Sequence, residues 1–138
     1  MNRIELCIGN QLDEMPAIVA MVAGFGAEHS VPAGTVNELN IALDEVLNNI
    51  ISYGYPENGN GQIMVRLSYQ PGEISAEIHD DGKPFDPLQA GAPDMSGTVQ
   101  TRKMGGVGIH FMRQLMDDVA YARVGNENRL LLKKKIPV

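Results

Sequence analysis

The sequence predicts an α+β domain, in which a mostly antiparallel sheet carries its helices on one face. Three observations favour this fold class. Two stretches alternate apolar and polar residues on either side of a short turn, which is typical of a β-hairpin. Two stretches nearer the N-terminus repeat apolar residues at helical spacing. The predicted strands follow one another in pairs and the predicted helices are clustered, which favours a two-layer α/β sandwich over a parallel sheet.

The composition indicates one globular domain over residues 1–138. The chain has a net charge of −6, with 43% hydrophobic and 20% charged residues. Its only basic runs, 102–103 and 133–135, are short, so a direct nucleic-acid partner is disfavoured. The single cysteine, Cys7, excludes an intramolecular disulfide. No apolar run is long enough for a membrane span and no signal peptide is recognisable, so we expect a cytoplasmic protein with no membrane partner.

The first half of the chain predicts one strand and two helices. Residues 3–9 alternate apolar and polar side chains and predict a strand, which we expect at an edge of the sheet. Residues 12–28 predict a helix. Its expected buried face is formed by Met15, Val19, Val22 and Phe25. After a break at 29–32, residues 37–53 predict a second helix, which ends where Gly54 can cap it and a following proline cannot continue it.

The second half predicts a hairpin, a long irregular segment, a helix and two further strands. The hairpin strands, 63–69 and 74–80, are joined by a Pro-Gly pair that suits a type II turn. The periodic pattern then vanishes over about 86–104, and so long a connection is often a functional lid. A glycine-rich helix start follows, and the last strands are expected near 119–124 and 128–136.

Glu45 and Asn49, in the second predicted helix, are the most informative polar pair. They are four residues apart and therefore share a helix face. We expect that face to lie roughly opposite the apolar arc of Val36, Leu39, Leu43, Val46, Leu47 and Ile50. A carboxylate beside an amide oxygen can hold a hydrated Mg²⁺ or orient a hydroxyl for attack. The alternative is a pair of solvated residues on an exposed helix.

Asp80 is unusual because it has the parity of the buried side of its strand. It falls in step with Ile74, Ala76 and Ile78, so its carboxylate is expected to point toward the core. A buried carboxylate needs partners. These are either backbone amides at the strand end or a ligand donor such as the exocyclic amine of a purine. Gly82 would let a flat ligand approach the backbone closely.

A third candidate site is the glycine cluster at 105–108, where a helix begins. Free N–H groups at a helix N-terminus attract anions, and Arg102 and Lys103 stand just before them. The spacing matches neither the dinucleotide-binding fingerprint nor the P-loop. A plain helix-entry turn remains the alternative.

In this order, the three motifs resemble the N, G1 and G2 boxes of the GHKL ATPase superfamily, which includes gyrase, Hsp90, histidine kinases and MutL. The segments that carry the resemblance are 43–55, 80–87 and 106–119. Within the superfamily the chain is similar to the short, free-standing anti-sigma-factor serine/threonine kinases of the RsbW and SpoIIAB type. The resemblance covers essentially the whole chain and implies a two-layer sandwich of the Bergerat type.

The resemblance implies a role for each candidate residue. Glu45 would be the catalytic base toward the attacking hydroxyl, and Asn49 would ligate the Mg²⁺ that bridges the ATP phosphates. Asp80 would accept from the adenine amino group, in a purine pocket shaped by Gly82 and Phe85. Beneath the lid, the phosphates would meet the backbone amides or side chains of Lys103, Gly106, Val107 and Gly108.

The resemblance also implies partners. The protein would use ATP to phosphorylate a small STAS-domain antagonist and would sequester a sigma factor, and it is expected to form a homodimer. Two alternatives are a non-catalytic, nucleotide-dependent protein-binding module and a detached histidine-kinase-like ATPase domain. A metalloenzyme is disfavoured, because no known ligand spacing is present.

Overall fold

The computed structural model of the chain describes residues 2–56, 59–89 and 107–137. Within these ranges, five strands and three α-helices follow one another along the chain. Their bounds are β1 Arg3–Gly9, α1 Met15–Glu28, α2 Ala33–Tyr53, β2 Gln62–Gln70, β3 Glu73–Asp80, α3 Val107–Leu115, β4 Asp118–Val124 and β5 Glu127–Lys135. The predicted order of elements is therefore confirmed.

The strands form one antiparallel sheet in the order β1-β2-β3-β5-β4. The last strand is inserted between β3 and β4, so β3 is central and β1 lies at an edge. The β3–β5 register places Asp80 directly opposite Asn128. The end of the hairpin and the start of the last strand therefore meet at one point of the sheet.

One face of the sheet is buried against the helices, which confirms the α+β fold class. The buried strand residues alternate along the sequence, as period-two geometry requires. They include Ile63, Val65, Leu67, Ile74, Ala76, Ile78, Leu130 and Leu132. On the opposite face Arg66 pairs with both Glu5 and Glu77 at 2.9 Å. Apolar burial on one side only produces two layers.

The predicted buried face of the first helix is wrong at one position. Val19 is 50% exposed, whereas its neighbour Ile18 is 2% exposed and belongs to the core. The helix also begins later than predicted, because residues 12–14 form a separate turn of 3-10 helix. Apolar residues occur all around α1, so the periodicity of its sequence does not define a single face.

The hairpin turn and the start of the irregular segment have defined geometry. Gly72 has φ +85°, as the third residue of a type II turn requires. Within the predicted lid, Pro87–Gln89 form a turn of 3-10 helix, and the Leu88 N–H donates to Asp86 Oδ1 at 2.8 Å. The remainder of the predicted lid, including Lys103, lies outside the described residues, as does Gly106. Over the described ranges, no helix is long and apolar enough to cross a membrane.

Candidate functional site

A small cavity lies where β3 ends, between the sheet and α2. Its walls are mostly apolar, with a few polar groups, as is typical of small-molecule sites. The lining residues are Val46, Asn49, Ile50, Asp80, Phe85, Pro87, Tyr121, Asn128 and Leu130. The cavity volume is about 30 Å³, well below the roughly 300–1,000 Å³ of typical ligand pockets. A larger ligand therefore requires the lining side chains to move apart.

Asp80 is the buried carboxylate of this cavity, as its parity in the strand predicted. Its side chain is only 4% exposed. Oδ1 accepts hydrogen bonds from the Gly82 N–H at 2.9 Å and from Asn128 Nδ2 at 3.0 Å. Burial raises the pKa of Asp80, while these two hydrogen bonds act in the opposite direction. Both bonds end on Oδ1, so Oδ2 is the oxygen that would receive a ligand donor.

Asn128 belongs to this site, although none of the three sequence motifs includes it. Its Nδ2 donates to Asp80 and to the Lys83 carbonyl, the latter at 2.8 Å. Its Oδ1 accepts from the Phe85 N–H at 3.3 Å and from the Tyr121 hydroxyl. The sequence does contain one indication of this role. Asn128 is a polar residue in step with two leucines on the buried side of β5. The same kind of parity identifies Asp80 in β3.

Gly82 lets the loop after β3 lie against the end of α2. A Cβ at this position would stand 2.6 Å from the Gly54 carbonyl oxygen, closer than such atoms approach. Lys83 N–H donates to that oxygen at 2.9 Å, and Arg123 donates to the Gly82 carbonyl at 2.8 Å. The absence of a side chain at Gly82 is thus required by the protein's own backbone.

Asp81, next to the buried carboxylate, performs a different task. It is exposed, and its Oδ1 accepts from the Tyr55 hydroxyl at 2.7 Å and from the Gln62 N–H at 3.2 Å. The hydrogen bond from Tyr55 lowers the pKa of Asp81. The pKa of Tyr55 is raised, mainly by burial and to a smaller extent by the same hydrogen bond. Asp81 therefore links the segment after α2 to β2.

Glu45 and Asn49 are both half-buried on α2, rather than on a face opposite the core. Asn49 lines the cavity beside Val46 and Ile50, whereas Glu45 is not among its lining residues. Asn49 Nδ2 donates to the backbone carbonyl of Glu45 at 2.8 Å. The ligand-type atom of Asn49 is its amide oxygen, Oδ1. An amide oxygen of this kind fits Mg²⁺, which takes few protein oxygens and completes its shell with water and phosphate.

The third predicted motif is described only in part. The backbone is helical from Val107 onward, so Val107 and Gly108 form the first residues of α3. This helix packs against α2, which carries Glu45 and Asn49. The expected phosphate contacts of these residues, and of Lys103 and Gly106, stay predictions.

Comparison with known proteins identifies the class to which this fold belongs. Residues 8–134 match the family described as the histidine kinase-like ATPase domain. The chain belongs to that family, and ATP use is the property that this membership implies. The predicted resemblance to this family is thereby confirmed, whereas the roles assigned to residues of the three motifs stay predictions.

Two protein kinases are among the curated proteins similar to this chain. The serine/threonine-protein kinase BtrW of Bordetella bronchiseptica is 33% identical over 94 residues, which are 68% of this chain and 66% of that kinase. The serine-protein kinase RsbW of Bacillus subtilis is 27% identical over 120 residues, which are 84% of this chain and 75% of that kinase. The chain thus spans about two thirds to three quarters of these relatives.

A solved structure supports the fold over nearly the whole chain. The RsbU and RsbW domains of Rv1364c from Mycobacterium tuberculosis superpose with a TM-score of 0.69 at 13% identity. The match covers 99% of this chain and 33% of the mycobacterial one. At that identity the likeness concerns the fold alone.

Proposed function

We propose that this chain is an ATP-dependent serine/threonine protein kinase that acts as an anti-sigma factor. The observation that carries the proposal is the shared cavity of Asp80 and Asn49, which brings a buried carboxylate and an amide oxygen to one place. The names of the two kinases above support the type of activity. In this proposal the domain extends over residues 1–138.

The purine would be recognised at the end of β3. Oδ2 of Asp80 would accept from the adenine amino group, while Oδ1 stays engaged by Gly82 and Asn128. Phe85 and Val46 supply apolar walls that suit a flat base. A donor that reaches this carboxylate contributes strongly to the binding free energy, because an unpaired carboxylate in a buried place is costly.

The phosphates would extend from the base toward the start of α3. Asn49 would hold Mg²⁺ through Oδ1, and the ion would supply positive charge that neutralises the phosphates. The backbone amides of Gly106, Val107 and Gly108 would donate to the same phosphates, and Lys103 would approach the γ-phosphate. In the sequence these four residues precede or begin α3, the helix that packs against α2.

Glu45 would be the catalytic base. It is half-exposed on α2, one helical turn before Asn49, so a hydroxyl of a partner protein can approach it. In the transfer, the serine or threonine oxygen forms a bond to the γ-phosphorus as the bond from that phosphorus to the ADP oxygen breaks. The hydroxyl proton goes to the Glu45 carboxylate.

The proposed partners are a STAS-domain antagonist, which would be phosphorylated, and a sigma factor, which would be sequestered. We further propose that the protein is cytoplasmic and forms a homodimer. The position of β1 at a sheet edge supports pairing with a second chain.

The direct test is transfer of label from the γ-phosphate of ATP to STAS-domain proteins of the same genome. Glu45→Gln is expected to lower the transfer rate by about 10²-fold or more, since it removes a general base. Asp44→Asn, at the exposed neighbouring position, is the matched control and is expected to retain the wild-type rate. Transfer that persists unchanged in Glu45→Gln would contradict the assigned role, and no transfer to any such protein would contradict the kinase.

A non-catalytic nucleotide-dependent binding module is the second candidate. The observation that favours it is that Glu45 does not line the cavity that Asp80 and Asn49 share. Under this alternative, Glu45→Gln would leave partner binding and its nucleotide dependence intact. Neither the wild type nor the variant would transfer label.

A further inference from the structure

Every hydrogen-bonding position of the Asn128 side chain is occupied within the protein. An asparagine amide has two N–H donors and an oxygen with two lone pairs. Nδ2 donates to Asp80 Oδ1 and the Lys83 carbonyl, and Oδ1 accepts from Phe85 N–H and the Tyr121 hydroxyl. The orientation of the amide is fixed by chemistry, because a carboxylate and a carbonyl can only accept.

These four bonds join three parts of the cavity wall. Asp80 ends β3, Lys83 and Phe85 belong to the following loop, and Tyr121 lies on β4. Asn128 itself is 6% exposed. In such a water-poor setting, a hydrogen bond is strong and a broken one is costly. Together with the Gly82 N–H, the amide therefore restricts the rotation of the Asp80 carboxylate, and it also holds the loop beside it.

We propose that Asn128 is a positioning residue for base selection, which holds Oδ1 of Asp80 so that Oδ2 faces the amino group of a 6-aminopurine. The inference rests on the proposed function, because it names how the proposed ATP site distinguishes its base. Asn128 does not read the base itself, since its own polar atoms are all engaged. It acts through Asp80.

The chemistry of the two purines makes the idea testable. Adenine presents an N–H₂ donor at position 6, where guanine presents an oxygen acceptor. A carboxylate held in one rotation receives the first and repels the second. Without the Asn128 amide, Oδ1 keeps only the hydrogen bond from the Gly82 N–H. The rotation of the carboxylate is then less restricted, and the advantage of adenine over guanine is expected to shrink.

The experiment compares the dissociation constants of ATP and GTP for the full chain. Asn128→Asp keeps the acceptor for Phe85 and Tyr121 but replaces the donor to Asp80 by a second carboxylate oxygen, and two buried carboxylates in contact share a proton rather than both ionise. We expect ATP affinity to fall by about 10- to 100-fold and GTP affinity to change by less than about threefold. Asn126→Asp, in the exposed turn between β4 and β5, introduces the same charge and is expected to keep the wild-type ratio.

A double-mutant cycle tests whether Asn128 acts through Asp80. In the Asp80→Asn background, Asn128→Asp is expected to change ATP affinity by less than about threefold, because the interaction it would break is already altered. Thermal melts identify a variant that does not fold. Asn128→Leu, which branches at the same carbon and adds no carboxylate, is measured in the same comparison and is expected to lose the preference for ATP over GTP as well.

The outcomes separate this inference from the proposed function. A parallel loss of ATP and GTP affinity, or an equal loss in the Asp80→Asn background, would show a merely structural role and overturn the inference. If the wild type binds ATP in preference to GTP and Asn128→Asp keeps that preference, the inference fails while the nucleotide site stands. Absence of ATP binding in the wild type would overturn both.

Discussion

The backbone N–H of Lys83 donates to the carbonyl oxygen of Gly54 over 2.9 Å, which fastens the loop after β3 to the C-terminal end of α2. Asp80 and Phe85 lie on either side of Lys83 in the sequence, and both line the cavity. Asn49 on α2 lines the same cavity. The shape of the site therefore depends on how closely these two backbone segments approach each other. Several substitutions probe that arrangement.

Gly82→Ala is expected to separate the loop from α2. Its Cβ would lie 2.6 Å from the Gly54 carbonyl oxygen and 3.0 Å from Asp80 Oδ1. We expect the free energy of unfolding to fall by about 1–3 kcal/mol, the usual cost of overpacking, and ATP affinity to fall with it. Denaturant titration and calorimetry measure the two effects.

The control for this substitution is Gly24→Ala on α1. A Cβ at Gly24 meets no atom within 4 Å. The free energy of unfolding is expected to rise by up to about 1 kcal/mol, because alanine favours a helix more than glycine does. A Gly82→Ala protein as stable as the wild type would show that the loop tolerates displacement.

The affinity for ATP is expected to depend on the ionisation of Asp80. Burial raises the pKa of this carboxyl above its ordinary value of 3.8. The ionised form is the stronger acceptor for the adenine amino group, so affinity should be full above the raised pKa and decline as the pH falls through it. The decline should therefore begin at a higher pH than an ordinary aspartate would give.

The ionisation of the ATP phosphates is removed from this measurement by comparing the wild type with Asp80→Asn at each pH. The ratio of the two dissociation constants is expected to be about tenfold or more at neutral pH and to approach one in acid, where both side chains are uncharged. A ratio that stays constant as the pH is lowered would mean that Asp80 does not titrate in the free protein or does not contact the base.

Lys134 is expected to stabilise the packing of α3. Its Nζ donates to the Leu115 carbonyl at 2.6 Å and also pairs with Glu38 on α2. Lys134→Met keeps the apolar stem but leaves the last carbonyl of α3 without this donor. We expect the free energy of unfolding to fall by about 1–2 kcal/mol in thermal or denaturant unfolding.

Two further variants divide this effect. Glu38→Gln, which removes only the charge of a 40% exposed partner, is expected to cost less than about 1 kcal/mol. Lys135→Met, at an exposed neighbour on β5, is expected to stay within about 0.5 kcal/mol of the wild type. If Lys135→Met destabilises the protein as much as Lys134→Met, a general charge effect is responsible.

The strands of this protein could be predicted from the sequence because their alternation is regular. The same regularity correctly predicts that Asp80 lies on the buried side of β3. In α1 the prediction failed at Val19, since residues such as Ile18 and Val22 surround it and leave no polar face to define the orientation. Helical periodicity is informative only where polar residues interrupt it.

The network around Asp80 could be predicted only in part. The N–H of Gly82 is only two residues from Asp80, so the hydrogen bond between them could be expected from local backbone geometry. Asn128 is 48 residues away, and its contact depends on β5 pairing with β3 rather than only with its sequence neighbour β4. Such pairings arise from tertiary packing, which parity in a single strand does not encode.

The insertion of β5 between β3 and β4 has a consequence for folding. The cavity forms only when α2, β3 and β5 are all in place, so a nucleotide held there binds the native state and not the unfolded chain. Ligand at about 100 times its dissociation constant would add about 2.7 kcal/mol to the free energy of unfolding. The fraction of the protein that is folded would therefore rise and fall with the nucleotide concentration around it.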